Sequence, residues 1–134
     1  SGSQGGIMPV YGGISLDLKR LNKIIEINET SGTVTAQGGI NGYELENALN
    51  AAGWTLPHYP ASVHSATLGG YLACRGSGTV STKYGKAEDM VLSMQVVLPN
   101  GDGRLRNTAN RNAKAVRLRS SARSRTRAEP VCTR

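Results

Sequence analysis

The side chains able to do chemistry are sparse, and most of the arrangements they could form are excluded by spacing. His58 and His64 lie too far apart for one helix face and out of step with a metal-binding pair, and no cysteine pair flanks them, so a metal centre is not indicated. They read as polar surface or pocket-lining groups, and no Ser-His-Asp arrangement follows from their positions. A Gly-x-x-x-x-Gly-Lys-Ser/Thr loop is missing, and Gly76-Ser77-Gly78-Thr79-Val80-Ser81 lacks both the third glycine and the preceding strand of a dinucleotide fingerprint. Cys74 and Cys132 fall on opposite sides of a break in composition, so a disulfide is not expected; Cys74 is read as a small buried residue rather than a nucleophile. What remains is the run from Pro60 to Gly78, dense in small and hydroxyl side chains. Low bulk there lets backbone N–H groups approach a diphosphate or a ring edge closely. A tightly packed loop with Gly69-Gly70 at a helix start would have the same composition.

The elements that position this run are legible on either side of it. Ile14-Ser15-Leu16-Asp17-Leu18 alternates apolar and polar residues, the period of a half-buried strand. Lys23–Asn28 and Thr33–Gln37 repeat that signal around the turn-forming Glu29-Thr30-Ser31-Gly32, which predicts a hairpin. Asn41 is a good N-cap with Glu44 three residues on, and Leu45, Ala48, Leu49 and Ala52 follow at helical spacing until Gly53 closes the helix. Beyond the small-residue run, Met90–Leu98 is largely apolar and bounded by Pro99-Asn100-Gly101-Asp102, a buried strand entering a tight turn. The return strand that should follow has no alternating pattern to mark it. From Gly103 onward the chain carries Arg at 104, 106, 111, 117, 119, 123, 125 and 127, with no aromatic residue.

With 134 residues the chain holds one small domain, and its formal net charge of +7 points at first to a polyanionic partner. The distribution says otherwise. Residues 1–102 hold six basic and eight acidic side chains, a net of −2, whereas residues 103–134 hold ten basic side chains and one acidic, a net of +9. The basic segment cannot bury enough apolar surface to offset its ordering entropy, and disorder is expected for it. It reads as a solvated basic tail or as out-of-frame translation, with an RNA-binding arm as the rival. The abrupt change within a hairpin and the lack of aromatics for base stacking weigh against a nucleic-acid partner. No apolar stretch reaches the roughly 18 residues of a membrane span, and no secretion signal precedes the body, so a soluble protein of the cytoplasm or another intracellular, reducing compartment is expected. The Asn28-Glu29-Thr30 sequon carries no weight in that setting.

Pro60-Ala61-Ser62, Thr67-Leu68-Gly69-Gly70-Tyr71, Arg75-Gly76-Ser77-Gly78 and Tyr84-Gly85-Lys86-Ala87-Glu88-Asp89-Met90-Val91 together resemble the flavin domain of the vanillyl-alcohol oxidase and p-cresol methylhydroxylase superfamily. The wording around Leu72-Ala73-Cys74-Arg75 and Tyr84–Asp89 is most similar to the alkyl-dihydroxyacetone-phosphate synthase branch; D-lactate and glycolate dehydrogenases resemble it more distantly. The likeness runs upstream through Ser15–Asn22, Thr33–Gly39 and Gly42–Glu46, covering residues 1–102.

The resemblance implies an α+β fold: a partial FAD-binding domain of the p-cresol methylhydroxylase type, comprising the end of its first lobe and most of its second. It implies that Ser1 and Gly2 match the end of a Gly-rich pyrophosphate loop, with Gly2 where the family usually has serine. Ala61–Thr67 matches a segment lining the flavin, with Ser62 and Thr67 as hydroxyl contacts and Gly69 just beyond. Cys74, Arg75, Gly76 and Ser77 match a second contact segment, Cys74 standing for the commoner threonine; Arg75 could equally pair with a carboxylate, and Glu88 and Asp89 are expected to fix the following strand. Noncovalent FAD is implied because no histidine occurs between Ser1 and Tyr11. The activity implied for an intact relative is oxidation at an oxygen-bearing carbon of a small molecule, or the synthase variant, with the flavin carrying the chemistry. The substrate-binding cap lies outside these residues and no catalytic acid or base can be named among them, so the chain by itself is expected to be inactive.

Overall fold

The computed structural model describes residues 1, 2 and 4–107. Two antiparallel hairpins flank a helical middle, an α+β arrangement. Strand β1 (Ile24–Asn28) pairs with β2 (Thr33–Ala36), Ile27 opposite Val34 and Asn28 opposite Thr33, with a register irregularity between Ile24 and Glu26. The turn closes through Gly32 N–H to the Asn28 carbonyl (2.8 Å) and Ser31 N–H to the Asn28 side chain (2.9 Å). Asn28 thus anchors the turn expected over Glu29-Thr30-Ser31-Gly32.

Helix α1 (Gly42–Ala51) begins at Asn41, whose side-chain oxygen accepts from the Tyr43 and Glu44 N–H groups at 2.9 and 3.3 Å. It ends at Ala52, followed by Gly53 at φ +80°, the left-handed C′ position anticipated for it. Leu45 and Leu49, one turn apart, are buried with Ile40, and Ile24, Ile27, Val34, Ala36, Trp54, Leu56 and Leu68 pack around them. This is the larger core. It sets the hairpin face of Ile24, Ile27 and Val34 on α1 by apolar burial.

A short helix, α2 (Leu68–Ala73), carries the second cluster, in which Ala66, Tyr71 and Ala87 are buried with Leu68 and Leu72 against them. Leu68 touches both clusters and so couples the hairpin side of the molecule to the loop side. A single turn of helix, α3 (Ser81–Tyr84), and a 3-10 turn (Ala87–Met90) lead into β3 (Ser93–Val97), which pairs with β4 (Gly103–Asn107).

Three expectations are corrected. Residues 14–18 form no strand: Ile14 and Leu16 are 93% and 77% exposed, since alternation makes a strand only where a partner ladder receives it. The apolar run at Met90–Leu98 is strand only over Ser93–Val97, because Asp89 accepts the Lys86 N–H at 2.8 Å and winds the preceding residues into a turn. The strand is largely exposed rather than buried, Val97 at 71%, since among the described residues it pairs with β4 alone. The return strand does form over Gly103–Asn107, five residues inside the segment expected to be disordered. Its ladder is built from backbone groups, which an Arg-rich sequence supplies as well as any other. The rest of the basic segment, from residue 108, lies outside the described residues.

Candidate cofactor site

Loop and helix are tied together by backbone bonds on three sides. Gly42 N–H donates to the Ala66 carbonyl (2.9 Å), Tyr43 N–H to Val63 (3.2 Å), and the Asn41 side-chain amide to the His64 carbonyl (2.9 Å), which fixes residues 63–66 against the start of α1. Leu68 N–H donates to Ile40 and Gly69 N–H to Gly38, at 2.9 and 2.7 Å. Thr67 is the N-cap of α2, its hydroxyl accepting from Gly70 N–H at 3.3 Å.

At the start of α2 the backbones come unusually close. A Cβ placed on Gly69 would stand 3.0 Å from the Gly38 carbonyl oxygen, and one on Gly70 would stand 4.0 Å from the Ser1 nitrogen. The Ser1 nitrogen therefore lies near Gly70, at the end of α2 that Thr67 caps and that Gly69 joins to Gly38. The N–H groups of Gly69 and Gly70 are, however, already engaged within the chain, so the contribution of Gly69 is close approach rather than a free donor.

The second expected segment lies at the other end of α2, about 9 Å away for a helix of this length. Cys74 caps the helix and is exposed, so the expectation of a small buried residue is corrected: it stands past the last residue of α2, outside the Ala66–Tyr71–Ala87 cluster. Arg75 takes the carboxylate pairing that the sequence left open, with Nε 2.5 Å and Nη2 2.9 Å from the two oxygens of Glu88. The pair holds the Glu88 carboxyl below its usual range, first through the hydrogen bond itself. Gly76 N–H donates to the Tyr71 carbonyl and its own carbonyl accepts from Ala87 N–H, at 2.9 and 3.1 Å. Ser77 is exposed, and nothing among the described residues hydrogen-bonds to its N–H or hydroxyl. Ser62, half-buried, gives its carbonyl to the Ser65 and Ala66 N–H groups. Ala61 is exposed and Gly2 lies at φ +67°.

His58 was missed as anything beyond a pocket-lining group. It is 4% exposed, tilted against the Tyr71 ring at 4.7 Å, and neither ring nitrogen has a hydrogen-bond partner. Burial pushes its pKa down, and burial with the Glu46 carboxylate pushes the Tyr71 hydroxyl up to about 12. No spacing rule signals an orphaned imidazole of this kind. A cleft of about 300 Å³ lies nearby, lined by Glu46, Pro57, Tyr59, Thr79 and Tyr84 among others. The Glu46 carboxylate there accepts from the Thr55 hydroxyl and from Leu56 N–H. Among the described residues no group of three or more His, Cys, Asp or Glu is placed to hold a metal, and no helix is long and apolar enough to cross a membrane.

The close-packed Gly38–Gly69 pair thus lies near Ser1, and the exposed Ser77 lies one short helix away. Residues 1–123 match the FAD binding domain family, and the chain belongs to it. Its relatives include alkyldihydroxyacetonephosphate synthases, 41% identical over 88 residues in Trypanosoma brucei brucei (66% of this chain, 14% of the relative) and 43% over 100 residues in Dictyostelium discoideum (75% and 16%). Glycolate oxidase subunit GlcD of Bacillus subtilis is 37% identical over 98 residues, 73% of this chain and 21% of the relative. A solved alkyldihydroxyacetonephosphate synthase superposes with a TM-score of 0.62 at 40% identity, covering 69% of this chain and 17% of that one. The chain is thus FAD-binding domain sequence of the FAD-linked oxidoreductase family, and it spans about a sixth of the synthase relatives it matches.

Proposed function

We propose that this chain supplies one wall of a noncovalent FAD site in an enzyme of the alkyldihydroxyacetonephosphate synthase type. Ser1 and Gly2 with Thr67 and Gly69 hold the diphosphate end, and Ala61, Ser62, Cys74, Gly76 and Ser77 line the rest. Arg75 acts from behind. The observation that carries this reading is the approach of Ser1 to Gly70 at the start of α2, beside the Thr67 cap and where the Gly38 and Gly69 backbones touch. When bound, the flavin supplies redox chemistry toward a small-molecule substrate, and the described residues orient it. The chain alone is therefore inactive and binds FAD only weakly.

Identities of 41% and 43% to the synthases against 37% to the glycolate oxidase subunit favour the synthase type over oxidation of a 2-hydroxy acid. A nucleic-acid role for the basic segment is disfavoured by a family match that continues to residue 123. The test is a chimera in which residues 1–100 replace the matching segment of the Dictyostelium synthase. It should purify with FAD, and Ser77→Ala with Thr67→Val should lower flavin content. A folded chimera that retains full FAD after both substitutions contradicts the assignment.

A further inference from the structure

We infer that Glu88 is a positioning residue for the flavin wall, acting through Arg75. Among the described residues Arg75 is the one non-glycine in the left-handed region, at φ +53°. An L side chain resists that conformation, and a glycine would adopt it freely. Such a residue keeps its conformation when its surroundings over-determine it. Here they do. Arg75 N–H donates to the Leu72 carbonyl at 3.0 Å and Gly76 N–H to the Tyr71 carbonyl at 2.9 Å, the two bonds that close a helix on a left-handed residue. To these the guanidinium adds its grip on both Glu88 carboxylate oxygens, while the Gly76 carbonyl accepts from Ala87 N–H. Glu88 and Ala87 are neighbours on the same 3-10 turn, so one rigid turn holds the segment by a side chain and a main chain at once. At the far end Gly78 N–H donates to the Ser81 hydroxyl at 2.8 Å. Between these anchors only Ser77 is left without a partner, and the clasp sets the peptide planes that aim it.

The Arg75 side chain is 75% exposed and that of Glu88 31%, so the pair contributes little to global stability. Its effect is local. A variant that breaks it should fold and yet lose the set of the segment, which separates positioning from folding.

This inference rests on the flavin reading of Cys74–Ser77, and the two can fail separately. The experiment follows amide spectra and hydrogen exchange of the whole 134-residue chain, first without flavin and then with added FAD. In Glu88→Gln the Gly76–Gly78 amides should shift and Gly76 N–H should exchange about tenfold faster, while Leu45 and Leu49 stay unchanged. The charge swap Arg75→Glu with Glu88→Arg should restore the wild-type pattern. Unmoved Gly76–Gly78 amides in Glu88→Gln overturn the clasp, whether or not FAD perturbs them. If instead the segment loosens in Glu88→Gln while FAD leaves it untouched in the wild type, the clasp stands and the flavin reading falls. Both stand when FAD shifts Ser77 in the wild type and its affinity drops several-fold in Glu88→Gln.

Discussion

The Gly69 N–H donates to the Gly38 carbonyl at 2.7 Å, and a Cβ on Gly69 would press on that same oxygen at 3.0 Å. Together with the Leu68 N–H to Ile40 carbonyl bond at 2.9 Å, the contact joins the loop after β2 to the first turn of α2. Gly69→Ala must push a backbone oxygen rather than a flexible side chain. A loss of about 1–3 kcal/mol is expected, read as a lower urea midpoint with an unchanged slope.

Gly39 is tighter still, since a Cβ there would stand 1.7 Å from the Leu18 carbonyl oxygen. Gly39 N–H also donates to the Leu21 carbonyl at 2.8 Å, so residues 18–21 lie directly over it. Gly39→Ala should displace that segment, and limited proteolysis should cut between residues 14 and 23 faster than in the wild type. Equal cleavage rates would contradict the packing described.

Asn41 has two tasks, capping α1 and bonding the His64 carbonyl. Asn41→Ala should cost about 1 kcal/mol for the cap alone, and Asn41→Asp should keep the cap but lose the amide donor. Chemical denaturation of the three proteins should therefore rank wild type above Asp above Ala.

His58 makes stability depend on pH with a definite sign. Its folded pKa is lowered by burial, so the unfolded chain takes up the proton first as pH falls. Stability is full above the ordinary imidazole value of about 6.5 and declines as pH drops below it toward the folded value. The facing ring is Tyr71, whose hydroxyl, raised to about 12, stays neutral throughout this window. Replacing the imidazole by an apolar side chain, His58→Leu, should flatten the slope of stability between about pH 7 and 5. A slope unchanged in the variant would locate the effect elsewhere.

Local chemistry made part of this legible in advance. Glu29-Thr30-Ser31-Gly32, and Asn41 with Gly53, specify a turn and both helix ends within a few residues, and both elements stand where they were expected. Ile14–Leu18 shows the limit: the alternation is real, yet whether it becomes a ladder depends on a partner that five residues cannot encode. The cofactor role proposed for Ser1, Thr67 and Gly69 comes from family resemblance, because composition left a packed loop and a cofactor wall equally open. Arg75 and Glu88 are thirteen residues apart, so their pairing needed the fold. The burial of His58 depends on Tyr71 crossing over it, a contact without any periodicity to announce it.

The central claim is that Thr67–Gly69 and Cys74–Ser77, with Ser1 and Gly2, form a wall of an FAD site. It is tested most directly by titrating the isotope-labelled chain with FAD and following backbone amides. Saturable shifts at these residues, with a Kd in about the millimolar range expected of one wall alone, are the predicted result. Shifts confined to the basic residues beyond 107, and abolished by moderate salt, would mean that FAD is held by charge on the tail and would contradict the account.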